Sequence, residues 1–222
     1  MSDSSPSADL RARVLDAVAR KPAYARAAGA RRSAASLALA FAFVSAGAAI
    51  LASRPGSGPP SAYVFTLFGS WVALACASTW AGVGRGRSML GRPAVWRVCA
   101  VVVTPAALLA TWLLVAFAWP QTLRGPSGPE NHVVCIGMTL LFAAAPLVAF
   151  AALARGSEPV TPRLAGAALG AACGAWGAAA HVLVCRVTAA DHMVLGHVLP
   201  VVLLVAIGAF VGDRVLAVRT TH

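Results

Sequence analysis

Six side chains in the second half of the chain could do chemistry: His132, Cys135, His181, Cys185, His192 and His197. Imidazole and thiolate are ligands for zinc, copper or haem iron. His181 and Cys185 stand at i and i+4, so on a helix they share a face, and His192 and His197 follow across the short turn 186–191. The spacing matches no compact metal signature of paired cysteines followed by paired histidines. Three readings of these residues stay open. They could form a metal or haem site, Cys135 and Cys185 could form a disulfide in an oxidising compartment, or the group could be ordinary packing with interfacial hydrogen bonds. No serine, histidine and acid arrangement is legible, and Asp191 beside His192 reads as a solvated loop pair. The chain is not expected to be an enzyme, and no cofactor is assigned to it beyond the zinc, copper or haem that this cluster could take.

The elements that must position these residues are apolar. Of 222 residues 59% are hydrophobic and 11% charged, with a mean hydropathy of +0.77, which is outside the balance of soluble domains. The expected fold is an all-α integral membrane protein with six transmembrane helices, at 34–52, 62–83, 98–119, 133–153, 164–184 and 193–211. Each is close to the ~20 residues that cross a hydrocarbon core. These make a domain over 34–213, preceded by a leader (1–33) and followed by a tail (214–222). Breakers mark the connections, including Pro55, Gly56, Gly58, Pro59 and Pro60 in the first and Pro120, Gly125, Pro126, Gly128 and Pro129 in the third.

Of the 18 lysines and arginines, 15 fall in the leader, the second and fourth loops and the tail, and 3 in the other loops. The positive-inside rule then puts both termini in the cytoplasm. With that threading, His132, Cys135, His181, Cys185, His192 and His197 all reach the external margin, whereas Cys76 and Cys99 lie toward the cytosol and Cys173 at depth. The net charge of +11 is accounted for by this orientation, so direct nucleic-acid binding is not expected. The spans hold no Asp, Glu, Lys or Arg except at margins such as Arg97 and Asp213, which argues against ion-driven transport. Pro105, Pro146 and Pro200 inside spans read as kinks whose backbone groups neighbours satisfy.

Two further features concern packing and partners. Gly166, Gly170 and Gly174 recur at i, i+4 in the fifth span, leaving one helix face bare for close approach by another helix. In the leader, a candidate short amphipathic helix around 8–20 carries Leu10, Val14 and Val18 as a narrow apolar stripe. That stripe could rest on anionic lipid headgroups or dock into a cytosolic partner's groove.

The order of six short spans after a basic leader is shared with a known group. So are a Cys at the start of the fourth span, the segment ARGSEPVTPR (154–163), the glycine-spaced LAGAALGAACGAWG (164–177), a Cys after the fifth span and a last span carrying HVLP (197–200). In these features the chain resembles the NrsF-type membrane anti-sigma factors, mainly over 133–214. The resemblance implies a protein of the bacterial inner membrane that sequesters an extracytoplasmic-function sigma factor until a stress signal arrives. Its partners would be the lipid bilayer and a cytosolic sigma factor, for which the leader stripe Leu10, Val14 and Val18 is the candidate contact. The alternative from the residues themselves is a redox- or metal-sensing membrane protein using the external Cys and His side chains.

Overall fold

The structure is a computed structural model that describes residues 61–83, 93–120, 128–154 and 161–215, with isolated positions before residue 50. The described residues are mostly helical and contain no strand. In chain order they form α1 (Ser61–Val83), α2 (Ala94–Ala118), α3 (Pro129–Ala154), α4 (Pro162–Val182), a short α5 (Ala190–His192), a π-helical turn (Met193–Val198) and α6 (Leu199–Val215). Most of the expected span at 34–52 and the whole leader stripe Leu10, Val14 and Val18 lie outside the described residues.

In place of the six spans expected, four helices among the described residues are long and apolar enough to cross a membrane: Ser61–Gly82, Ala94–Ala118, Pro129–Ala152 and Ala190–Arg214. The expected fifth span corresponds to α4, which is not one of them. Its alanines and glycines each carry little apolar surface, and that surface faces protein. Every residue of α4 from Gly166 to Val182 is buried, and α1, α2, α3 and α6 all pack against it. The other four helices are apolar on the outside as well. Phe65, Leu114, Phe117, Val133, Leu141, Val148 and Phe210 are exposed large hydrophobics, the inverse of a soluble surface and consistent with a membrane protein.

Small residues set the closest contact. A Cβ built on Gly166 would lie 2.0 Å from the Gly208 carbonyl oxygen, and one on Gly170 would lie 2.1 Å from the Leu204 carbonyl oxygen. Backbone therefore meets backbone where α4 crosses α6, an approach open only to glycine. At the end of this crossing, Arg163 on α4 is paired with Asp213 on α6.

Several polar side chains inside the bundle are paired between helices. Trp71 Nε1 donates to Thr111 Oγ1 (2.9 Å), Trp176 Nε1 donates to Thr79 Oγ1 (3.1 Å), and the buried Ser78 and Thr104 hydroxyls lie 2.6 Å apart. Ser78→Ala removes Thr104's partner on α1, and we expect it to lower stability by about 1–2 kcal/mol. Ser78→Ala combined with Thr104→Val removes both hydroxyls and should cost less than the single change, because no buried group is then left without its mate. Thermal melts of the three proteins in one detergent read the difference.

Candidate functional site

Antiparallel threading gathers the reactive side chains at one end of the bundle. The start of α3, the end of α4, the 183–189 connection and the head of the last helix all meet there. Cys135 comes from the first turns of α3 and His181 from the last turn of α4. Cys185 follows in the connection, and His192 and His197 flank the π-turn. Ligand-type atoms of Cys135, His181 and Cys185 lie within 4.8 Å of one another, as do those of Cys185, His192 and His197. Five of the six predicted residues thus form one cluster with Cys185 common to both halves. The sixth, His132, is at its edge. Its Nε2 is 3.2 Å from Asp191 Oδ2 and its ring 5.7 Å from that of His192. Asp191, expected to pair with its neighbour His192, instead reaches across to α3.

The π-turn explains how His192 and His197 come together. Five residues along an α-helix are about 500° of rotation, or roughly 140° apart around the axis, so one of the two would face away. A π-helix closes at i+5, and here the Leu199 amide bonds the Val194 carbonyl five residues back. The wider turn brings both rings inward, with centroids 5.6 Å apart. Pro200 contributes to this irregularity because it has no N–H to give to the Gly196 carbonyl four residues earlier.

Thr139, which the sequence pattern does not single out, occupies that carbonyl. Its Oγ1 donates to Gly196 O at 3.0 Å and lies 2.8 Å from His181 Nδ1. A hydroxyl has one proton, and here it goes to the carbonyl, so Nδ1 must be the protonated nitrogen that donates to Thr139. His181 is thereby held with its Nε2 lone pair free to face the thiols. The only signal for Thr139 in the sequence is its i+4 spacing from Cys135, which puts it one turn along the same face.

His192 Nε2 is 3.1 Å from Cys185 Sγ, and its Nδ1 is buried without a hydrogen-bond partner. His197 is fully buried and stacks on His181 at 4.4 Å, with Trp71 5.6 Å away, and neither of its ring nitrogens has a partner. Both thiols are free. Hydrogen bonding to the Cys135 sulfur, together with burial, holds the Cys185 thiol well above the usual thiol range while no cation is bound. Cys76 and Cys99 are exposed on α1 and α2, and Cys173 is buried in α4 away from the cluster.

The glycines at i, i+4 do not belong to this cluster: Gly166 and Gly170 meet α6 backbone, and Gly174 meets Val201. Gly196 does belong to it, since a Cβ there would sit 3.1 Å from Cys135 Cβ and 3.3 Å from the His192 ring.

No curated protein and no solved structure matches the chain. One family model does, NrsF, described as Negative regulator of sigma F, over residues 17–217. That match spans every described helix and the whole of the Cys and His cluster, and the chain belongs to the NrsF family of negative regulators of a sigma factor.

Proposed function

We propose that the chain is an anti-sigma factor of the bacterial inner membrane that holds an extracytoplasmic-function sigma factor at the cytoplasmic face until a stress signal arrives. The observation that carries this reading is the family match, which spans most of the chain. The four apolar helices and the outward-facing hydrophobic side chains support residence in the membrane. The distribution of lysine and arginine favours a threading with both termini in the cytoplasm. In that orientation the leader faces the compartment where a sigma factor works. A tether there raises the effective concentration of its contacts.

The apolar stripe Leu10, Val14 and Val18 is our candidate contact surface, an amphipathic face of the kind that lies in a partner's groove. Deletion of the gene is expected to raise transcription from promoters of the partner sigma factor, and unchanged transcription would refute the proposal. Restoring the gene as Leu10→Asp or Val14→Asp should leave transcription near the deletion level, because a carboxylate cannot be seated in an apolar groove without a partner. A promoter fusion measures all of these strains together.

A further inference from the structure

The His197 ring is an anomaly for a folded protein. Buried polar atoms are almost always hydrogen-bonded, yet both nitrogens of this fully buried imidazole lack a partner, as does Nδ1 of the adjacent His192. The chain nevertheless places a thiol against these rings: Cys185 Sγ lies 3.1 Å from His192 Nε2, and one ligand atom each from Cys185, His192 and His197 falls within a 4.8 Å spread. Ligand atoms around a tetrahedral zinc, at bond lengths of about 2.0 Å to nitrogen and 2.3 Å to sulfur, are roughly 3.3–3.8 Å apart. Small side-chain rotations would bring these three to that distance.

We propose that Cys185, His192 and His197 form a binding site for one soft or borderline d10 cation, Zn2+ or Cu+. The donor set of one thiolate and two imidazoles selects this class of ion over the hard cations that require oxygen ligands. The π-turn is the device that makes the site, since a regular α-helix would turn one of the two histidines away. His181 is not a ligand of the same ion. Its ring is stacked on His197 at 4.4 Å with only 20° between the planes, so the in-plane lone pairs of the two rings run side by side and do not converge. His181 instead groups with Cys135 and Cys185, whose ligand atoms lie within 4.8 Å of one another. Gly196 keeps the space between Cys135 and His192 clear.

The site stands apart from sigma-factor binding and is tested without it. The full-length chain is purified in detergent under reducing conditions, stripped with chelator, and loaded separately with Zn2+ and with Cu+. After gel filtration, metal content is measured by mass spectrometry. We expect about one equivalent of one of the two ions to remain, and which ion remains identifies the site's cation. His197→Phe should fall below a tenth of that content while remaining folded, because a phenyl ring, though somewhat larger, keeps the ring stacking with no nitrogen left unpaired. Cys185→Ala and His192→Gln should also lose the ion, and Cys76→Ala, which alters an exposed thiol elsewhere, should keep it. Wild type and His197→Phe retaining equal metal would overturn the proposal, as would loss caused by Cys76→Ala and not by Cys185→Ala. If His197→Phe does not fold, the same comparison made with His192→Gln decides the question.

Discussion

Gly166→Ala, a change of one methyl group, is expected to destabilise the bundle by about 3 kcal/mol or more, at or beyond the upper end of ordinary overpacking. The added carbon would stand 2.0 Å from the Gly208 carbonyl oxygen and 2.8 Å from the Gly212 Cα. Both obstacles are backbone, so no side chain can rotate out of the way and the helices themselves must separate. Separation would also open the contact one turn further on, where Gly170 faces the Leu204 carbonyl, and would loosen the ion pair between Arg163 and Asp213. Gly208→Ala should behave alike, because its Cβ would meet the Gly166 carbonyl at 2.2 Å. Gly69 on α1 supplies the control. A Cβ there meets nothing within 4 Å, so Gly69→Ala should be neutral or stabilise by up to ~1 kcal/mol through helix propensity. Thermal aggregation of the four proteins in the same detergent gives the ranking, and a Gly166→Ala protein as stable as Gly69→Ala would mean that α4 and α6 do not cross as described.

Thr139→Val carries the second large effect. Valine matches threonine in shape but has no hydroxyl, so the Gly196 carbonyl and the His181 Nδ1–H both lose their bond in a site without exposure. Leaving a buried polar group without a partner costs about 1–3 kcal/mol, and two such groups should together cost about 2–4 kcal/mol. The carbonyl is especially dependent on this bond because Pro200 cannot donate to it. Thr139→Ser restores the donor and should recover most of the loss, which separates the role of the hydroxyl from that of side-chain volume. Melting temperatures of Thr139→Val and Thr139→Ser, compared with wild type, provide the check.

The reactive cluster is legible in the amino-acid sequence because helices alternating in direction bring every second end to one side. His132, Cys135, His181, Cys185, His192 and His197 each stand at such an end, so antiparallel threading alone predicts that they meet. The glycine repeat likewise signals a close approach, since three bare positions at i, i+4 have no other packing use in an apolar helix. The repeat does not name the helix that approaches, which depends on where Gly208 and Gly212 fall along α6. Nor does the sequence reveal the π-turn. The pattern MVLGHVLP is as apolar as a regular helix, and the extra residue per turn is imposed by tertiary contacts with Thr139 and Cys135 and by Pro200. Thr139 is inconspicuous for a related reason: one threonine in an apolar span is usually satisfied by its own helix, whereas this one bonds two other elements. That α4 is not among the helices long and apolar enough to cross a membrane is also hidden, because a count of apolar residues treats alanine and leucine alike while a bilayer does not.

Co-purification tests the central claim most directly. The full-length chain, extracted from bacterial membranes in mild detergent and captured by a tag at its C-terminus, should bring with it a sigma factor of the extracytoplasmic-function type in near-equal amount, and should release it when Leu10→Asp is introduced. Recovery of the chain from the soluble fraction, or capture of the membrane-extracted chain with no sigma factor bound, would contradict the account.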